Sequence, residues 1–163
     1  MIKPEISVII PVRNGSQTLE RCLTSIRSQT IQNIEIIILD SMSTDNSRQI
    51  ADLFNVIIID IPPGTFNHGL TRNIGTTVAS ANFLFFTVQD AWLSENNILE
   101  RMLEHFSDKQ VMGVVGHQAI PWGDSDKNPA YWFKRYSEPK IHERFFSDNS
   151  FQKLSKKERF KLS

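Results

Sequence analysis

The sequence is short of several things, and each shortage excludes a class of protein. It holds one cysteine, Cys22, in 163 residues. A lone thiol cannot build an internal disulfide framework, so a reducing compartment is permitted. Neither sign of charge is in excess, since 18 basic side chains face 18 acidic ones. A dedicated nucleic-acid binder usually carries a basic surplus, so no nucleic-acid partner is expected. Long apolar runs are missing too. The longest, residues 36–39 and 56–59, fall far short of the roughly 20 residues that cross a bilayer. The opening Met1-Ile2-Lys3-Pro4-Glu5 has no charged stretch leading into an apolar one, so no signal peptide is read. The expectation is a soluble cytoplasmic protein of one domain with a sizeable core.

Known nucleotide and hydrolase signatures are absent as well. Only Gly15 follows the first apolar run, whereas a dinucleotide fold needs several glycines there. No glycine-rich loop ends in Lys-Ser or Lys-Thr, and there is no Gly-x-Ser-x-Gly elbow. No Cys/His spacing suggests zinc.

What is present is an alternation. Residues 6–12, 34–39, 56–59 and 83–88 are short, β-branched or aromatic runs that read as strands. Leu19, Cys22, Leu23 and Ile26 fall on one face of a helix between the first two. Ser43, Thr44 and Asp45 are helix-start residues ahead of Ile50, Leu53 and Phe54. Pro62-Pro63-Gly64 opens a loop running to Gly69, and Leu70, Ile74 and Val78 suit a third helix. Ser94 is placed as the cap of a fourth, with Leu93 stapled onto Ile98 and a buried stripe of Leu99, Met102, Leu103 and Phe106. Residues 111–115 are expected to add a fifth strand. Strands alternating with helices predict an α/β fold with a mainly parallel sheet. Residues 1–120 are read as the core. Residues 121–163 are read as a partial second segment: a loop rich in Pro, Gly and Asp, the aromatic cluster Tyr131-Trp132-Phe133, and a basic tail from Gln152.

In an open α/β sheet, ligands bind beyond the carboxyl ends of the strands. Polar clusters stand there: Pro11-Val12-Arg13-Asn14-Gly15, Asp40-Ser41-Met42-Ser43-Thr44-Asp45, and Gln89-Asp90. A fourth, Phe66-Asn67-His68-Gly69-Leu70-Thr71-Arg72-Asn73, crosses from loop into helix. Each also has a plain structural reading. Asn14-Gly15 is a good turn dipeptide. Asp40 and Asp45 serve equally as strand-end and cap residues, Arg72 as a solvated cation, Asp90 as a surface carboxylate, His68 as a hydrogen-bonded loop residue. Cys22 lies on the apolar helix face and reads as core.

The ordered set of clusters, from about residue 6 to residue 118, resembles family 2 glycosyltransferases. Ser7-Val8-Ile9-Ile10-Pro11-Val12-Arg13-Asn14-Gly15 is similar to their opening strand and turn, and Asp40-Ser41-Met42-Ser43-Thr44-Asp45 to their Asp-x-x-Ser-x-Asp run. Phe66-Asn67-His68-Gly69 with Thr71-Arg72-Asn73, and Gln89-Asp90-Ala91, resemble the rhamnosyltransferase-like branch. The resemblance implies the GT-A fold, a Rossmann-like three-layer sandwich. It implies an enzyme moving a sugar from a UDP- or dTDP-sugar donor to an acceptor hydroxyl with inversion, in polysaccharide or cell-envelope glycan synthesis. It implies that Pro11, Arg13, Asn14, Asp40, Ser41, Arg72 and Asp90 line the nucleotide-sugar site. Asp40 would accept from the pyrimidine ring. Asp90 would hold a divalent metal, Mg²⁺ or Mn²⁺, against the diphosphate.

Two departures bear on that expectation. Val88 occupies the first Asp position of the family's Asp-x-Asp motif, leaving Asp90 alone. The family's catalytic base lies in a later Glu-Asp pair, and Glu138, Glu143, Asp148 and Glu158 each stand singly. The base is therefore expected beyond the end of this chain, which reads as truncated; Phe146-Ser147-Asp148-Asn149-Ser150 is matched to the start of the acceptor half. Two alternatives stay open: a non-catalytic nucleotide-sugar-binding or assembly module, and a nucleotidyltransferase. The acceptor is expected to be a glycan or a lipid-linked glycan, and a homodimer stays open. The basic tail reads either as an unstructured end or as an approach to anionic lipid at the inner face of the membrane.

Overall fold

The structure, a computed structural model, describes residues 3–116. The chain divides into two units, Met1–Val114 and Val115–Ser163, and every strand and helix described belongs to the first. Its elements alternate as expected. Strands β1 (Ile6–Val12), β2 (Ile34–Asp40), β3 (Ile57–Asp60) and β4 (Phe83–Phe86) are interleaved with helices α1 (Leu19–Arg27), α2 (Ser47–Asp52) and α3 (His68–Val78). Helix α4 (Ile98–Glu104) follows β4 and tightens into a 3₁₀ turn at His105–Ser107. The sheet order is β3-β2-β1-β4 and every pairing is parallel.

The two central strands are apolar at nearly every position because both faces are covered. Ile6, Val8, Ile10 and Val12 with Ile34, Ile36 and Ile38 pack under Leu19, Cys22, Leu23 and Ile26 of α1, with Ala51 and Leu99. Ile9, Ile37 and Leu39 form the opposite core with Ile61. Helix α3 closes on that second face: a Cβ on Gly75 would stand 2.6 Å from Cγ2 of Ile9.

Several expectations need correction, beginning with the second helix, which runs from Ser47 to Asp52 after Asn46 and leaves Leu53 and Phe54 beyond its end. Residues 111–115 form no strand: Met112 and Val115 are almost fully exposed, and the run pairs with neither edge strand, β3 nor β4. Ser94 does not cap α4. The helix starts at Ile98, after Asn97, and its Leu99 amide donates to Oε1 of the buried Gln29 at 3.1 Å. Of the stripe assigned to that helix only Leu99 is fully buried. Helix α3 turns the other way from its apolar spacing: Thr71 and Gly75 face the sheet, while Leu70, Ile74 and Val78 are exposed. It also begins earlier than that spacing implies, because the Asn67 side chain accepts from the Gly69 and Leu70 amides. The aromatic cluster, the basic tail and the whole of residues 121–163 lie outside the described residues.

Candidate functional site

The carboxyl ends of β1, β2 and β3 finish level with one another, while β4 stops at Phe86, opposite Ile9. In the parallel register Val12 lies opposite Asp40, and Asp40 opposite Asp60. The loop leaving β1 is pinned at four consecutive amides. The Arg13 N–H donates to Gln89 Oε1 at 2.8 Å, and Gln89 Nε2 returns a bond to the Arg13 carbonyl at 3.2 Å. Asn14 donates to Ser43 Oγ at 2.9 Å, Gly15 to Ser47 Oγ at 2.8 Å, and Ser16 to Asp45 Oδ2 at 2.9 Å. Asn14 adopts a left-handed φ of 49°, and its side-chain oxygen accepts from the Thr44 amide at 2.8 Å. These donors are all occupied, so the turn is no backbone cradle for phosphate, in keeping with its single glycine.

The Asp-x-x-Ser-x-Asp segment divides its labour. Asp45 is a structural clasp. It accepts from the Ser47 hydroxyl and amide and from the Ser16 amide, and those bonds hold its carboxyl well below the usual carboxylate range despite an opposing effect of burial. Asp40 is the buried member, its side chain only 2% exposed. Its Oδ1 accepts from Ser43 Oγ at 2.6 Å and from the Ser43 amide at 3.2 Å. Its Oδ2 accepts from Arg48 Nη1 at 3.2 Å. Arg48 donates from the same nitrogen to Asp60. The neighbouring Ser41 hydroxyl is buried and has no hydrogen-bond partner among the described residues.

The remaining candidates are distributed unevenly. Pro11 is half-buried at the end of β1, and Arg13 is exposed. Asp90 is exposed at the turn after β4. The Arg72 guanidinium donates to the His68 carbonyl of its own helix at 3.0 Å and to no carboxylate among the described residues. The structure thus binds Arg13, Asn14 and Asp40 into one hydrogen-bonded rim with Ser43 and Gln89, and leaves Arg72 outside that network. Cys22 is core: its thiol donates to the Val88 carbonyl at 3.6 Å, and burial, then the Asp90 charge, push it up to about 12. It is therefore no nucleophile near neutral pH.

Sequence reasoning misses three residues here. Gln89 reads only as part of a motif, yet it fastens the β4 loop to the β1 loop. Arg48 and Asp60 belong to none of the polar clusters at all. Their signal is Asp60 itself, an acid ending a strand in register with Asp40, since two adjacent carboxylates call for a cation.

Among the described residues no group of three or more His, Cys, Asp or Glu side chains converges to hold a metal. Asp90 alone fits a divalent cation only where diphosphate oxygens complete the shell. A separate open groove of about 510 Å³ runs along α1, between Gln17, Arg21, Ser25 and the segment at Trp92, and none of the strand-end candidates lines it. There the Arg21 guanidinium lies 3.6 Å from the centre of the Trp92 ring.

Comparison with known proteins agrees with this architecture. O-antigen chain rhamnosyltransferase WbaN of Salmonella anatum is 38% identical over 125 residues, which are 76% of this chain and 39% of the relative. Among solved structures, S. aureus TarS 1-349 in complex with UDP superposes with a TM-score of 0.58 at 22% identity, covering 72% of this chain and 38% of TarS. The mannosyltransferase PcManGT of Pyrobaculum calidifontis, in complex with GDP-Man and Mn²⁺, gives 0.58 at 19% identity, covering 68% of this chain and 34% of that protein. At such identities the structures establish a shared GT-A fold and nothing finer. The chain spans about two fifths of the length of the first curated relatives it matches. The pattern of the family described as Glycosyl transferase family 2 matches residues 7–159, and the chain belongs to that family.

Proposed function

We propose that this unit is the donor-binding part of a glycosyltransferase and takes the nucleotide of a UDP- or dTDP-sugar at the ends of β1, β2 and β4. The observation that carries the reading is Asp40. It is a buried carboxylate at a strand end, with Oδ1 doubly engaged and Oδ2 accepting a single bond. A carboxylate oxygen accepts about two hydrogen bonds, so Oδ2 keeps one place for a ring N–H. On this reading Pro11, Arg13, Asn14 and Ser41 would line the nucleotide-sugar site with Asp40, and Arg72 would serve the diphosphate from α3. Asp90 is the residue that would hold Mg²⁺ or Mn²⁺ with the diphosphate; the cation would supply neutralisation of charge on the leaving group. PcManGT has been solved with Mn²⁺ and TarS with UDP, which supports a metal-assisted nucleotide site here. An acceptor hydroxyl, deprotonated by a base, would attack the anomeric carbon opposite the departing diphosphate and invert it. The acceptor is a glycan or lipid-linked glycan on this reading, and the location cytoplasmic. No helix among the described residues is long and apolar enough to cross a membrane.

Calorimetric titration with UDP, dTDP and CDP in the presence of Mn²⁺ tests the base claim. Uracil presents a ring N–H, whereas cytosine presents a bare ring nitrogen at the same position. Asp40→Asn exchanges an acceptor for a donor, so UDP affinity should fall about tenfold, the worth of one charge-assisted bond, while CDP affinity holds or rises. Failure of every nucleotide to bind, or equal losses for UDP and CDP, would overturn the assignment.

A further inference from the structure

Asp40 and Asp60 stand side by side at the ends of β2 and β3. Arg48 Nη1 answers both, donating to Asp40 Oδ2 at 3.2 Å and to Asp60. The hydrogen bond to Asp60, and with it that to Asp40, favours the charged guanidinium against the opposing effect of burial. Further N–H donors remain on Nη2 and Nε, and these make no hydrogen bond among the described residues. The Arg48 side chain is 44% exposed and that of Asp40 only 2%. Anything that reaches Oδ2 therefore meets Arg48 as well. At one point of the strand-end rim a buried acceptor with one lone-pair position unfilled lies beside guanidinium donors that bond nothing else among the described residues.

The geometry points to Arg48 as a specificity-determining residue: with Asp40 it presents an acceptor beside a donor, the complement of a base whose ring N–H adjoins a carbonyl. This rests on the proposed nucleotide site and deepens it. Uracil, thymine and guanine carry such a lactam edge. Cytosine and adenine carry the reverse, a bare ring nitrogen beside an amino group. Either would set an acceptor against an acceptor and a donor against a donor. Asp60 supports the arrangement from the far side, holding the guanidinium in place when Oδ2 takes up a ring N–H. Arg48 thus acts on the base directly, and Asp60 is its positioning residue.

The test compares UDP with CDP and GDP with ADP on the full 163-residue chain, using wild type, Arg48→Met, Arg48→Lys and Asp40→Asn. Thermal melting is followed in parallel. Arg48→Met should cut the UDP-over-CDP preference about tenfold, chiefly through weaker UDP binding, with the GDP-over-ADP ratio falling alongside. A merely structural role would lower the melting temperature and weaken all four nucleotides alike. An unchanged UDP:CDP ratio in a folded Arg48→Met overturns the inference. If that variant does not fold, Arg48→Lys decides. It keeps the charge between the two acids but lacks the planar fork, so the ratio should drop about threefold, and an unchanged ratio again overturns the inference. Loss of selectivity in Asp40→Asn without any in the Arg48 variants removes the Arg48 role and leaves the nucleotide site standing. Absence of nucleotide binding by wild type removes both.

Discussion

A Cβ on Gly15 would stand 2.8 Å from Cδ and Oε1 of Gln89; one on Gly75 would stand 2.6 Å from Cγ2 of Ile9. The two near-contacts differ in what can move. Gln89 is a flexible side chain at the rim, whereas Ile9 is a fully buried, β-branched residue in the middle of β1. Gly75→Ala should therefore destabilise the fold by about 1–3 kcal/mol through overpacking. Gly15→Ala should cost about 1 kcal/mol or less, because Gln89 can swing aside. That swing releases the Arg13 backbone, so Gly15→Ala should weaken UDP binding several-fold out of proportion to its effect on melting. Chemical denaturation and nucleotide titration of the two variants check this together, and the opposite ordering of effects would contradict it.

Glu35 does at the amino ends of the strands what Asp40 and Asp45 do at the carboxyl ends. It lies on β2 and accepts from the Ser7 hydroxyl of β1, and from the Ser80 amide at 2.9 Å and hydroxyl at 2.7 Å just before β4. Burial alone would raise its carboxyl, but the bonds from Ser7 and Ser80 outweigh it and hold the group below its ordinary value. A carboxylate held low in the folded chain stabilises above the unfolded range and loses that contribution as pH falls through the folded value. Unfolding free energy should thus decline on acidification from about pH 5 downward. Glu35→Gln should flatten part of that decline while lowering stability near pH 7 by about 1 kcal/mol or less, since solvent screens a partly exposed carboxylate. Denaturant melts at several pH values measure both. Legibility in the sequence also divides by element. β1 and β2 are plain because burial on both faces makes them apolar at nearly every position. The α3 stripe misleads because close approach to Ile9 requires a small residue, so Gly75, and not Ile74, faces the sheet. Residues 111–115 mislead because an apolar run becomes a strand only by pairing, and this one pairs with neither edge strand. The site is legible as a set of strand ends. Its wiring is not, since Gln89 to Arg13 spans 76 positions and no local pattern announces it.

At the scale of the whole described unit, the nucleotide rim is assembled from segments that share few local contacts. The loop after β1, the 40–47 segment and the turn after β4 meet through the side-chain bonds of Asn14, Ser43, Asp45, Ser47 and Gln89. Such loops open more readily than the strands beneath them, and a ligand bound across them suppresses the opening in proportion to its occupancy. At UDP concentrations of about 100 times its dissociation constant, mass action adds about 2.7 kcal/mol to the folded state. That gain should be read unequally along the chain by amide hydrogen exchange. The amides of Arg13, Asn14, Gly15, Ser16 and Thr44 should slow most. Those of Ser80 and Ala81, bonded to Glu35 and Ser7 at the opposite end of the sheet, should slow only as far as global unfolding governs them. Slowing confined to Ser80 and Ala81, or none at all, would mean that the nucleotide does not bridge these loops, and the rim would then be a structural clasp with the donor bound elsewhere.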